Sequence, residues 1–117
     1  VIEKKASPQE LYQNICTADT ERFERELVRL QSIPHSYIIC EFTLSDIKKF
    51  PWSSNLSIAV KKKIGAKGEY YLRRFLEITT QYRIPIILAG SDAQAVACSI
   101  FKRVWTLYHE CDDKTNS

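Results

Sequence analysis

Glu3 and Lys5 are the residues whose types and spacing point most directly to chemistry. The short apolar run Val1-Ile2 delivers a carboxylate, and a lysine follows two positions later. In an extended strand alternate side chains share a face, so the two project together into one shallow site. A carboxylate there can hold a divalent cation, and the neighbouring ammonium can steady an attacking water or the charge that builds on a phosphate. That is the arrangement of a metal-dependent nuclease. A Glu-x-Lys triplet in a lysine-rich chain also describes a solvated charged segment, and the remaining sequence has to separate the two readings.

The second informative segment runs from Glu21 to Leu30, where Arg22, Arg25 and Arg29 fall at i, i+3 and i+7 and form a basic stripe. The planar guanidinium fork suits phosphate oxygens, so such a stripe beside Glu3 and Lys5 would hold a nucleic-acid backbone near a metal. The same segment pairs Glu21 with Arg25 and Arg22 with Glu26 at i,i+4, and helix spacing alone favours that ordinary solvated face. A further cationic group, Lys61, Lys62, Lys63 and Lys67, crowds around Gly65 and Gly68, which suits either a phosphate-gripping loop or a loop that keeps the protein soluble.

The elements that must position these residues can be read from pattern. Val1 to Lys5 is the end of a strand. Ser7 caps and Pro8 opens a short helix to about Cys16, and Asp19 or Thr20 caps a second helix through Gln31 with Phe23, Leu27 and Leu30 on its buried stripe. Pro34 ends it. The run Ser36 to Phe42 predicts a central strand covered on both faces, and Thr43 to Phe50 one or two helical turns stopped by Pro51. Trp52 to Gly68 carries no clear element. Helical spacing returns from Glu69 to about Arg83, with Tyr71, Phe75, Ile78 and Tyr82 in register. Ile84 to Ala89 predicts another buried strand, closed by Gly90. Ser91-Asp92 then caps a long last helix to about Glu110, in which Val96, Ile100, Val104 and Leu107 make one apolar stripe and Phe101, Trp105 and Tyr108 a second. That face is wider than one sheet contact needs, so it is either deep core or the seat of a partner subunit.

The 117 residues fit one domain with a single core, and 44% hydrophobic with 26% charged residues is ordinary for a globular protein. Strands alternating with helices argue for a three-layer α/β domain with parallel pairings. Cys16, Cys40, Cys98 and Cys111 form no Cys-x-x-Cys pair, and three lie in apolar stretches, which points to reduced thiols and an intracellular setting. No stretch approaches a bilayer-spanning length and no secretory pattern opens the chain, so no membrane association is expected. Acids gather at Glu110, Asp112 and Asp113. No Gly-x-Gly-x-x-Gly turn or P-loop is present, so nucleotide cofactors are not expected, and His35 and His109 lack metal spacing.

On these residues the chain resembles the nuclease domain of the XPF-type structure-specific endonucleases, in particular compact single-domain phage and bacterial versions, within the restriction-endonuclease-like fold. Glu3-Lys4-Lys5 matches that family's Glu-Arg-Lys, with lysine in place of arginine. Glu10-Leu11 resembles the Asp-Leu that follows, one residue late, with Gln9 at the strict position. Arg22-Phe23 and Arg29-Leu30 match the Arg-Phe and Arg-Leu of the next helix, with Glu26 where many members carry glutamine. Ile38 to Glu41 resembles the next core strand, and Tyr82 to Gly90 with the following helix resembles the last strand and helix.

The resemblance implies a central mixed sheet flanked by helices, with N-terminal strands missing and the chain a single nuclease-like domain belonging to a longer protein. The family's Gly-Asp and its leading acid have no counterpart upstream of Glu3. It also implies Mg²⁺ or Mn²⁺ held by Glu3 and by the backbone carbonyl of Lys4, with Lys5 orienting the nucleophile. Glu10 or Glu26 would hold a nearby water, Glu26 counting among the catalytic residues, while Lys4, Arg22, Arg25 and Arg29 would contact DNA. The implied activity is metal-dependent hydrolysis of DNA phosphodiesters on duplex or branched substrates in repair or recombination. The 117-residue form would be inactive if it needs the upstream acid. The alternative is a catalytically silent nuclease-fold subunit that binds DNA or dimerises, with a homodimer formed through the last helix at Phe101 and Trp105. A plain interaction domain without nucleic acid is the remaining class. Localisation would be cytoplasmic in a bacterial or phage setting and nuclear in a eukaryotic one.

Overall fold

Three short strands carry the architecture, and each grows from an apolar run that the chain then reverses out of through helices. In this computed structural model the backbone is described for residues 1–116 and the side chains for residues 1–109. Strand β1 is Ile2–Lys5, β2 is Tyr37–Cys40 and β3 is Ile86–Leu88, in the order β1-β2-β3. Both pairings are parallel, with Glu3 opposite Ile38, Lys5 opposite Cys40, and Cys40 opposite Leu88. The mixed sheet expected from the resemblance is therefore not what the described residues form. Every connection between strands passes through helices, and a tight hairpin, the local route to an antiparallel pair, does not occur between them.

Between β1 and β2 lie α1, Pro8–Cys16, and α2, Thr20–Gln31. Helix α1 starts where expected: the Ser7 hydroxyl accepts from the Glu10 amide and Pro8 stands in the first turn, where its missing N–H costs nothing. Helix α2 follows Asp19, whose side chain makes no capping hydrogen bond. Its residues Phe23, Leu27 and Leu30 are buried, as their spacing predicts. Between β2 and β3 come α3, Leu44–Lys48, α4, Ile58–Ile64, and α5, Gly68–Gln81. A reciprocal Thr43–Asp46 cap opens α3. Helix α4 is an element where none was expected, and it buries no residue, so no apolar period marks it.

One core unites α1, α2, α3 and α5 with a single face of the sheet. Leu11, Ile15, Leu27, Ile38, Cys40, Ile47, Phe50, Tyr71 and Ile78 are all almost wholly buried within it. Tyr12 stacks on Phe50 at 4.4 Å between ring centroids, and the Tyr71 hydroxyl, buried with its ring, donates to the carbonyl of Pro8 at 2.7 Å. Burial pushes the Tyr71 phenol well above its ordinary range. Strand β2 is buried on both faces as expected, whereas β3 is a half-buried edge of three residues rather than the buried strand its composition suggests.

The opposite face of the sheet meets α6, Ala93–Asn116, which follows a 3₁₀ turn at Gly90–Asp92. The start of this helix lies over Ile2, Lys4, Ile39 and Glu41 through Ala93 and Ala97. A helix of 24 residues is about 36 Å long, while a four-residue strand spans about 13 Å, so the sheet can cover only its first turns. Val96, Ile100 and Val104 are accordingly half-buried, and Phe101, Trp105, Leu107 and Tyr108 are exposed. The deep-core reading of this double stripe is thus corrected. The acidic residues Glu110, Asp112 and Asp113, and Cys111, lie outside the described side chains.

Candidate active site

The pleat of β1 decides the site. Glu3 and Lys5 share the face directed at α1 and α2, and both line one cleft of about 290 Å³ with Asn14 of α1, Asp19 of the α1–α2 turn, and Arg22, Phe23 and Glu26 of α2. On α2, residues 22, 26 and 29 repeat at i, i+4 and i+7 and so present one face to β1. That spacing places Arg22 and Glu26 in the cleft and brings Arg29 across to Glu3.

Charge is distributed with one clear centre. The Arg29 guanidinium donates to Glu26 through Nε at 3.1 Å and through Nη2, and the same Nη2 lies 4.0 Å from a carboxylate oxygen of Glu3. Two acids from different elements therefore converge on a single cationic nitrogen. The hydrogen bond from Arg29 holds the Glu26 carboxyl below its ordinary range, opposed by burial and assisted by the Arg29 and Lys5 charges.

Lys5 is held more firmly than its type suggests. Only 14% of its side chain is exposed. Its ammonium sits 5.2 Å from the centroid of the Phe23 ring and 3.8 Å from Glu10. Glu10 is itself fixed, because its other oxygen accepts from the Ala6 amide at 2.9 Å while its own amide donates to Ser7. The acid that accepts from the backbone just before α1 thus also anchors the lysine at the end of β1. Beneath Lys5, burial pushes the Cys40 thiol up to about 12 despite the lowering pull of the ammonium.

Lys4 points to the other face, where its ammonium pairs with Glu41 at 3.0 Å. Its backbone is better placed than its side chain. The carbonyls of Val1 and Lys5 accept from the amides of Tyr37 and Glu41, so by the two-residue repeat the Lys4 carbonyl faces away from β2, toward the edge of β1 that has no partner among the described residues.

Of the expected site residues, Glu3, Lys5, Glu26 and Arg22 are brought together, and Arg29 bridges the two acids. Arg25 is not among them: it lines a separate recess with Glu21, Glu24, Val28 and Tyr82. The expected basic stripe is therefore split, because the step of three residues from 22 to 25 turns Arg25 away from β1 while the step of seven restores Arg29. Neither the Glu21–Arg25 nor the Arg22–Glu26 pair forms among the described side chains, and Arg29 takes Glu26 instead at i,i+3. Asn14 and Asp19 escaped the sequence reading. Each is polar at a helix end, and Gln13 donates to Asp19 at 3.0 Å across the turn, a signal too common to single out. The Asn14 side-chain oxygen is buried without a hydrogen-bond partner.

Among the described residues no three His, Cys, Asp or Glu side chains are grouped closely enough to form a metal cage. The pair Glu3 and Glu26 remains compatible with a hard divalent cation, since Mg²⁺ is commonly held by one or two carboxylates with waters completing the shell. Comparison of the chain with protein-family models, with the curated proteins and with the solved structures finds no match. No helix among the described residues is long and apolar enough to cross a membrane.

Proposed function

We propose that the cleft between β1 and α2 is a metal-dependent phosphodiesterase site acting on DNA, and that the fold belongs to the restriction-endonuclease-like class. The observation that carries this reading is the convergence of Glu3, Lys5, Arg22 and Glu26 on one cleft, with two carboxylates meeting at a single cationic nitrogen. Glu3 and Glu26 would hold Mg²⁺ or Mn²⁺, with the outward carbonyl of Lys4 available at the strand edge. A bound ion of this kind supplies Lewis-acid stabilisation of a phosphoryl oxygen and lowers the pKa of a coordinated water.

The protein's own groups account for the rest. Lys5, clamped by Glu10 and backed by Phe23, offers a fixed ammonium to the charge that accumulates on phosphorus, and pre-positioning is what makes such a charge effective. Arg22, exposed at the rim, offers its fork to a phosphate of the bound strand. The test is nicking of supercoiled plasmid by the protein in Mn²⁺. Lys5→Ala is expected to abolish nicking while leaving the fold intact, and equal nicking by both proteins removes the assignment.

A second reading is favoured by α6, whose Phe101, Trp105, Leu107 and Tyr108 are exposed at 60%, 68%, 57% and 54%. Such a stripe suits a second copy of the chain, and with it a silent, dimerising role. A monomeric mass in light scattering at high concentration disposes of that dimer, whereas DNA binding without cleavage promotes the silent-subunit reading.

A further inference from the structure

Residues 47–68 hold six lysines, Lys48, Lys49, Lys61, Lys62, Lys63 and Lys67, and no acid. The remaining eleven Lys and Arg face fourteen Asp and Glu, so outside this segment the chain is net negative, and its overall charge of +3 originates here. The structure brings the two ends of this segment together. The Lys67 amide donates to the Phe50 carbonyl at 3.2 Å, so residues 51–66 form an excursion whose two ends meet. At that neck Gly68 lies so close to Lys48 that a β-carbon on it would meet the Lys48 carbonyl oxygen at 1.9 Å. Lys48 and Lys49 are thereby held beside Lys67, with Lys61 to Lys63 on the excursion itself.

None of the six forms an ion pair among the described side chains, and five are exposed, Lys61 being half-buried. Trp52 stands at the start of the excursion, 54% exposed, just after the buried Phe50 and Pro51 that fix it to the core. An unpaired cationic surface carrying one accessible indole on a rigid base has the two components used to hold single-stranded nucleic acid: lysines for successive phosphates and an aromatic face for an unstacked base. An anionic bilayer is the less fitting partner. The three consecutive lysines of α4 spread around its axis instead of leaving a segregated apolar face, which interfacial helices require.

We propose that the 47–68 excursion is a second nucleic-acid contact, separate from the Glu3/Lys5 cleft, which grips a single-stranded segment through its lysines with a base stacked on Trp52. It takes from the nuclease reading only the class of polymer. The test uses the full chain and a fluorescein-labelled oligo(dT), read by anisotropy across a salt series, with Trp52 emission followed in a Trp105→Phe background. In the variant Lys61→Ala/Lys62→Ala/Lys63→Ala, affinity is expected to fall about tenfold and the slope of log affinity against log salt to flatten by about 2. Helix α4 buries no residue, so an unchanged thermal melt is expected to accompany this.

Quenching of Trp52 on binding, lost in Trp52→Ala together with affinity, completes the expected result. Unchanged affinity and slope in the triple variant overturn the proposal. So does oligonucleotide binding without Trp52 quenching, and so does binding to phosphatidylserine vesicles without binding to oligo(dT). Failure of this surface is distinguishable from failure of the cleft. Glu3→Gln is expected to lose nicking and keep oligo(dT) affinity, whereas absence of nicking in every protein alongside intact lysine-dependent binding sinks the nuclease reading and leaves the second contact standing.

Discussion

Replacing Arg29 by methionine tests the cleft without touching its acids. Methionine keeps an unbranched apolar stem on α2 while removing the cation that both Glu3 and Glu26 approach. In the native protein that guanidinium would compete with the proposed metal for the two carboxylates. Unit charges 4 Å apart interact by about 1 kcal/mol in water and about 4 kcal/mol at an effective dielectric of 20. Arg29 is 53% exposed and both acids 39%, which places the pair near the watery limit and makes its contribution small. Releasing that competition should tighten the Mn²⁺ dissociation constant by up to about fivefold. Titration calorimetry or the loss of the free Mn²⁺ electron-paramagnetic signal measures it directly, with Glu3→Gln as the variant that should lose the ion. A weaker or unchanged Mn²⁺ affinity in Arg29→Met refutes the reasoning: the guanidinium would then be either a support that holds the acids in place or irrelevant to them.

Tyr71→Phe should cost about 1–2 kcal/mol in urea unfolding, because it removes the buried hydroxyl that ties α5 to the Pro8 carbonyl of α1. Burial pushes both Cys16 and Cys40 thiols up to about 12, so in the native Cys111→Ser protein only the exposed Cys98 should react rapidly with an aromatic disulfide at pH 8, the other two following on unfolding. The Glu26 carboxyl is held low by Arg29, so its contribution is present above the unfolded-state value and disappears as pH falls through the folded one. The stability gap between wild type and Glu26→Gln should therefore be small at neutral pH, given the exposure of the pair, and close in acid.

The parts of this fold that could be read in advance are those with an apolar period. Phe23, Leu27 and Leu30 define α2, Tyr71, Phe75 and Ile78 define α5, and the unbroken Ile38-Ile39-Cys40 run defines a strand covered on both sides. Glu3 and Lys5 were legible for the same reason in its period-two form. What escaped lacks such a period. Helix α4 buries nothing and is marked only by its ends, the Ser57 side chain that accepts from Val60 and Gly65 at φ 74°. The two-sided stripe of α6 has a period, but composition cannot tell an interior neighbour from none, and only the length of the strands beneath it decides. At the site, the missed step was angular: Arg29 and not Arg22 takes Glu26, because the i,i+3 geometry also carries Arg29 within reach of Glu3 on β1.

The closure between Phe50 and Lys67 has a consequence for how this chain tolerates change. Because the ends of the intervening stretch are already joined, its length can vary without displacing β3 or α5, the elements that come after it. Insertions of a few residues at the exposed positions 57–60 should leave the melting behaviour of the rest nearly untouched, whereas the buried Ser54 and the core-packed Leu56 belong to the fixed part. Gly68 is the hinge pin of that arrangement, since any larger side chain there pries the two ends apart, and the interchangeable piece would lose its fixed socket.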